Sequence, residues 1–306
     1  MADTSIEWTQ KVWNPVRGCS RVSRGCERCY AEKQAHRFSG TGQPYEGLTK
    51  LTSDGPRWTG IVRFVPDQLN VPMKWRKPVR VFVNSMSDLF HESLDFEDIW
   101  KVFDMMSMAH QFRGHIFQIL TKRPARMKEF VEWVAVELRK IKESKSGMTI
   151  AWPPLGVWLG VSVEDQKSAE ERIPILLETP ALIRWLSVEP LLGPVLLKRW
   201  LDKGIHWVVA GGESGHGARP MHPRWARVIR DHCEFAGVPF FFKQWGNWIS
   251  VDQLEYIMQQ GERFERRPKE YWFDDCTICF EVGKKFAGRL LDGREHNEYP
   301  NTAPIG

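Results

Sequence analysis

The chain has 306 residues, 42% of them hydrophobic, which is enough core for one barrel-sized domain or two smaller ones. No run of about 18 apolar residues occurs, so no membrane-spanning helix is expected. The first ten residues carry Asp3 and Glu7 instead of an apolar signal core, and the expected location is the cytoplasm. A net charge of +5 permits an anionic partner, although a solvated basic surface is the commoner cause.

In chain order, the first motif is the segment Trp13-Asn-Pro-Val-Arg-Gly-Cys19-Ser-Arg-Val-Ser-Arg-Gly-Cys26-Glu-Arg-Cys29-Tyr30. It places three of the six cysteines within eleven residues, a clustering that favours metal or redox chemistry over a disulfide framework. β-Rich runs follow at 79–88, 115–122, 157–164, 182–189, 205–211 and 238–244. Helix candidates separate them at 95–110, 124–143, 165–177 and 223–236. Strands alternating with helices predict a parallel sheet with crossover connections, and six such units predict an α/β fold that is a partial or full (β/α) barrel. Residues 1–250 would form this barrel and 251–306 an appendage packed on it. The stretch 140–147 reads as an exposed polar loop, and 261–268 as a charge run in the appendage. Most of the fifteen tryptophans read as core or rim packing, with some available for stacking on bases.

Polar residues gather at each strand end: Asn84, Ser85, Ser87 and Asp88; Thr121 and Lys122; Ser162, Glu164 and Asp165; Ser187 and Glu189; Glu213 and Ser214; Lys243 and Gln244. Ligands of parallel α/β folds sit at the carboxyl ends of strands. The plainer alternative is that polar residues simply begin loops and cap helices.

The cysteine spacing is C-x6-C-x2-C, with Gly18 and Gly25 letting the backbone turn before two of the thiols. Three local thiolates leave one iron of a 4Fe–4S cube open to an outside ligand. A zinc site completed by a distant His or Cys, such as Cys276 and Cys279, is the competing reading. Arg21, Arg24 and Arg28 surround the loop and would moderate its negative charge or contact an anionic substrate.

The motif resembles the radical S-adenosylmethionine superfamily, whose usual spacing is C-x3-C-x2-C in a loop after the first strand. Its Cys-x2-Cys-Tyr30 ending looks most like spore photoproduct lyase. The longer first gap departs from the superfamily pattern and requires the loop to bulge. The rest of the chain resembles a phage-associated three-cysteine-motif family. The stretches that carry this likeness are Asn84-Ser-Met-Ser-Asp-Leu-Phe90, Leu120-Thr-Lys-Arg-Pro124, Trp158-Leu-Gly-Val-Ser-Val-Glu-Asp165, Ser187-Val-Glu-Pro190, Gly211-Gly-Glu-Ser-Gly215 and Phe242-Lys-Gln-Trp-Gly246.

The resemblance implies a 4Fe–4S cluster on Cys19, Cys26 and Cys29, with S-adenosyl-L-methionine as second cofactor. An electron donor such as flavodoxin or ferredoxin would drive its reductive cleavage. Gly211, Gly212, Glu213 and Ser214 are similar to the superfamily's glycine-glycine-glutamate element, though they follow a late strand. Tyr30, Asn84, Ser85, Asp88, Ser162, Glu164, Ser187 and Glu189 are the further cofactor candidates. Cys233, Cys276, Cys279 or Tyr271 would return a hydrogen atom to a product radical. Lys122, Arg123, Arg219, Lys243 and the Lys284–Lys285 pair would engage phosphates, with Trp245 and Trp248 stacking on bases. The implied substrate is a nucleic acid, most narrowly a DNA photolesion. The rival readings are a zinc-stabilised, non-enzymatic nucleic-acid-binding protein and a radical enzyme that modifies RNA or a peptide.

Overall fold

The structure is a computed structural model that describes residues 4–143, 152–259, 261 and 267–301. The part of the 140–147 stretch from 144 onward, and positions 262–266 of the charge run, lie outside the described residues. Positions 140–143 end a helix.

The elements begin β1 (Lys11–Trp13), β2 (Val16–Arg17), α1 (Tyr30–His36), β3 (Thr49–Thr52), β4 (Gly55–Trp58), β5 (Arg63–Phe64), β6 (Arg80–Val83) and α2 (Phe96–Arg113). They continue with β7 (Ile116–Thr121), α3 (Pro124–Glu143), β8 (Val157–Ser162), α4 (Gln166–Glu178), β9 (Ile183–Val188), α5 (Lys198–Leu201), β10 (Trp207–Gly211) and α6 (Pro223–Ala236). The last are β11 (Phe240–Gln244), β12 (Trp248–Ser250), α7 (Val251–Gln259), β13 (Lys269–Trp272), β14 (Ile278–Glu281) and α8 (Lys284–Ala287).

The main sheet has seven strands in the order β1-β6-β7-β8-β9-β10-β11. The pairs β1·β6, β6·β7, β7·β8, β9·β10 and β10·β11 are parallel. This is the α/β architecture that alternating strands and helices predict. The sheet ends at β1 and β11, so the full barrel is corrected to an open sheet, compatible with a partial barrel. The chain divides into two compact units: Met1–Val161 with Arg172–Arg184, and Ser162–Glu171 with Trp185–Gly306. In this division the residues from 251 onward fall in the second unit.

In the first unit α2 buries Ile99, Val102, Phe103 and Met106, the i, i+3, i+4, i+7 stripe of an amphipathic helix. It stops at Gly114, whose φ of +70° lets its N–H reach the His110 carbonyl. Phe130 on α3 packs against Phe103 (centroids 4.9 Å apart) and Trp133 (6.0 Å). These rings account for part of the tryptophan excess. No helix among the described residues is long and apolar enough to cross a membrane.

In the second unit α6 starts on His222, whose side chain accepts the Arg224 N–H, with Pro223 at the first helical position. The C-terminal segment covers the outer strand β11. Phe242 N–H donates to the His296 carbonyl at 3.0 Å, and Glu298 N–H to the Phe240 carbonyl at 3.2 Å. That pairing masks an edge that would otherwise invite association. β12, β14 and β13 form a small antiparallel sheet beside it in sequence.

Two glycines separate close approach from mere conformation. A Cβ on Gly212 would lie 1.9 Å from the Trp245 carbonyl oxygen, whereas one on Gly237 (φ +65°) meets nothing within 4 Å. Gly212→Ala should therefore cost about 3 kcal/mol or more through overpacking of backbone on backbone. Gly237→Ala should cost only about 1–2 kcal/mol of left-handed strain. Urea unfolding of the two variants checks the order.

Candidate functional site

The cysteine loop lies in the first unit, between β2 and α1. Gly18 delivers it: with φ of +91°, it forms a bridge to Ser87 and leaves a Cβ no room, 2.1 Å from the Ile61 carbonyl oxygen. Cys19 and Cys29 both pack against the cluster of Ala31, Ala35, Leu48, Trp58 and Met86. Cys26 is buried, its sulfur accepting the Val22 N–H at 3.5 Å. Burial pushes the Cys19 thiol up to about 12, Asp88 adding to the effect and Arg123 opposing it. Cys29 rises to about 11 through burial, opposed by the Ala31 N–H. Each of the two is also raised by Cys26, so the thiols sense one another's charge. Among the described residues no three His, Cys, Asp or Glu side chains already stand as a metal cage. A metal would have to draw the three sulfurs together.

Arg123 is the organising cation of this loop. Its guanidinium donates to Glu92 at 2.8 and 2.9 Å, to Asp88 at 3.2 Å, to the Ser20 hydroxyl at 2.8 Å and to the Ser20 carbonyl at 3.2 Å. The Cys19 sulfur is 4.0 Å from the same group. Asp88 also accepts from the Thr121 hydroxyl at 2.7 Å and from the N–H groups of Phe90 and Lys122. His91 reaches the Ser20 hydroxyl at 2.8 Å, and burial, with Arg123 beside it, lowers its pKa. Arg123 was expected to hold phosphate; it is instead consumed by two carboxylates and the cysteine loop. Arg21 is likewise committed, to the buried carboxylate of Glu32 at 2.5 and 3.0 Å.

The segment after β6 is stitched to the loop from the other side. Tyr30 donates its hydroxyl to the Ser85 carbonyl at 2.5 Å. Asn14 accepts from the Ser85 hydroxyl at 3.2 Å and from Met86 N–H at 3.1 Å. Beside them Asn84 is 2% exposed, has a φ of +60°, and finds no partner among the described residues for either polar atom of its amide. A buried amide with neither donor nor acceptor used costs about 1–3 kcal/mol and asks for a ligand. Ser85 is thus tied to Tyr30 beside the last cysteine, and Asp88 lies close enough to Cys19 for its charge to be felt there.

The second unit treats its candidates differently. Glu213 is closed by Arg219, whose guanidinium donates at 2.6 and 2.9 Å and whose backbone N–H donates at 2.8 Å. Gly212 lies against Trp245 and Gly246 against Glu213, so Gly211-Gly212-Glu213 is a crossing of two backbone segments. Ser214 is followed by a turn in which Asn247 accepts the Gly215 N–H at 3.1 Å. Lys243 donates to both oxygens of Glu189 at 2.8 Å, and Gln244 adds a third bond at 3.0 Å. Ser162, Glu164 and Ser187 are buried. Asp165 Oδ1 caps α4 by accepting the Ser168 N–H at 2.9 Å, and the Ser168 hydroxyl reaches back to accept from the Glu164 and Asp165 N–H groups.

The stacking expectation for Trp245 and Trp248 is also corrected. Their rings are buried, and their N–H groups donate to the carbonyls of Leu290 at 2.7 Å and Ala218 at 2.6 Å. A stacking platform must present an open face. Cys233 and Cys279 are fully buried, the latter against the Met221 carbonyl at 3.7 Å, which removes both as hydrogen donors to a ligand. Cys276 and Tyr271 remain exposed. Sequence reasoning missed Ser20, His91 and Glu92. His91-Glu92 directly follows the Asp88-Leu-Phe90 stretch, and that adjacency was the available signal.

Fold and loop together define an α/β protein with a parallel sheet and a three-thiol site after its first strands. The model of the family described as "Protein of unknown function (DUF5131)" matches residues 3–300, and the chain belongs to that family. No curated protein and no solved structure matches it.

Because the Cys19 and Cys29 thiols lie at about 12 and 11, both are protonated in the metal-free protein at neutral pH. Metal binding must expel those protons, so apparent affinity for zinc or cobalt should climb steeply from pH 7 to pH 9. A competition titration with a chromophoric chelator measures it; a flat profile contradicts thiolate ligation. Separately, Arg123→Met should destabilise the chain by about 3–5 kcal/mol, since it strands the buried Asp88 carboxylate. Urea unfolding against wild type reads the loss.

Proposed function

We propose that this protein is a radical S-adenosylmethionine enzyme that holds a 4Fe–4S cluster on Cys19, Cys26 and Cys29. Its proposed substrate is a nucleic acid, in the narrowest form a DNA photolesion, and its compartment is the cytoplasm. The observation that carries the reading is a three-thiol loop fastened to a segment whose buried Asn84 side-chain amide has no hydrogen-bond partner among the described residues. The loop comes after β1 of the parallel sheet and the short β2 that pairs antiparallel with β5, and the resemblance implies a cluster loop after the first strand. When bound, the cluster and S-adenosylmethionine supply a 5′-deoxyadenosyl radical.

The residues fit such a group by the chemistry of the donor set. Cys19, Cys26 and Cys29 offer thiolates once their protons leave, and three ligands keep one iron open. Arg123, 4.0 Å from the Cys19 sulfur, offsets part of the thiolate charge. Asn84 offers a donor and an acceptor to the polar end of the cofactor, and Tyr30 fixes the backbone of Ser85 beside it. The hydrophobic cluster under Cys19 and Cys29 limits water at the sulfurs. An electron donor such as flavodoxin or ferredoxin completes the scheme.

Anaerobic reconstitution should yield about four irons per chain, lost in Cys19→Ala, Cys26→Ala or Cys29→Ala. Dithionite with S-adenosylmethionine should then release 5′-deoxyadenosine. Asn84→Gly keeps the backbone, since glycine accepts the φ of +60°. It should retain iron and lose roughly ten- to a hundredfold in S-adenosylmethionine affinity. Stoichiometric zinc without iron would leave the zinc-stabilised nucleic-acid binder in its place.

A further inference from the structure

The cations first read as phosphate contacts are largely used inside the protein: Arg123, Arg219 and Lys243 each hold a carboxylate. Another pair is not used in this way. β2 and β5 form a two-residue antiparallel ladder in which Arg17 stands directly opposite Arg63. Like charges opposed on paired strands repel, so such a pair is disfavoured unless something anionic lies between them. Among the described residues neither arginine has an acidic partner. Arg17 donates to the Pro44 carbonyl at 3.3 Å and lies 5.6 Å from the Tyr45 ring, while Arg63 is exposed.

Both arginines line one cavity of about 430 Å³, walled by the Gly42–Pro44 turn and by Phe64–Pro66. The acid of the neighbouring loop, Glu46, is occupied by the Gly42 N–H at 2.8 Å. A third cation, Lys101, sits 5.5 Å from the Phe64 ring, itself paired with Asp98. Guanidinium forks match the oxygens of a phosphate, and one phosphate between two of them would convert the repulsion into two charge-assisted contacts.

We infer that the Arg17–Arg63 cavity is a phosphate subsite that takes one backbone phosphate of a nucleic-acid strand. The choice of strand rests on the nucleic-acid reading above; the phosphate chemistry rests on the cavity alone. Its place is informative. Arg17 is two residues from Cys19, and the intervening Gly18 carries the bridge to Ser87. A strand anchored here passes beside the cysteine loop. That would explain why a ladder of only two residues carries two unneutralised arginines.

The test uses the full chain with Arg63→Gln, at an exposed position whose arginine has no acidic partner among the described residues, and Arg17→Gln as second variant. One probe is a fluorescent single-stranded oligonucleotide titrated at several salt concentrations, and the other is inorganic pyrophosphate, followed by its shift of melting temperature. Arg63→Gln should weaken oligonucleotide binding about tenfold or more. It should also flatten the salt dependence by about one phosphate contact. Without ligand it should melt at or above wild type, because a repulsion is removed, and its pyrophosphate-induced rise should shrink. Iron or zinc content should not change. If pyrophosphate acts on wild type but not on Arg63→Gln while the oligonucleotide binds neither, the subsite stands and the nucleic-acid substrate falls. Wild-type affinity and salt slope in both variants, or no response of wild type to either probe, overturns the subsite.

Discussion

The buried contact of Arg123 with Asp88 is the constraint on which the candidate site depends. Asp88 ends the segment after β6 and accepts from Thr121 at the end of β7. Arg123, just beyond β7, reaches from that carboxylate to Ser20 and to the edge of Cys19. Two side chains that are 5% and 8% exposed thus connect two strand ends to the cysteine loop. Buried charges persist only when every lone pair and proton is answered, and here the answers come from three separate segments. Any rearrangement of the loop must therefore disturb both strand ends as well.

The same loop shows why exposure and reactivity part company in this protein. Cys19 and Cys29 rest on an apolar cluster that raises both thiols, so as free cysteines they are poor nucleophiles. A multivalent cation reverses that balance, since it repays the desolvation that the thiolates cannot repay singly. The orphaned amide of Asn84 follows the same logic for a polar ligand. Both features are costly in isolation; a cation would offset the first and a polar ligand the second.

The second unit uses similar residue types for closure. Glu213 pairs with Arg219, and Glu189 with Lys243 and the Gln244 amide N–H, around the Gly212–Gly246 backbone crossing, while Gln244 Oε1 has no hydrogen bond among the described residues. Indoles that looked like stacking faces are anchored by their N–H groups inside the core. A strand-end cluster of polar residues is therefore two different things in one chain. After β6 it leaves an amide open, and after β10 it leaves no group of Glu213 open.

Hydrophobic periodicity and breakers alone placed five strands and four helices close to their observed limits, because each element buries a local stripe or run, whereas the 79–88 run is a strand only over Arg80–Val83. Helices α3 and α6 coincide with their expected ranges, since Pro124 and Pro223 start them and a polar stretch and Gly237 follow them. Cysteine spacing likewise marked the loop. What the sequence could not determine was which charges are already spent. Whether Arg123 faces a phosphate or two carboxylates depends on residues 31 to 35 positions away, and Trp245 is buried by a segment 45 positions further on. The short strands β2 and β5 carry too few residues for any period to show, so the opposition of Arg17 to Arg63 exists only once the ladder forms. Local propensity sets elements, but the partner of a long polar side chain is chosen by tertiary contact, because only there are the competing donors and acceptors brought within reach.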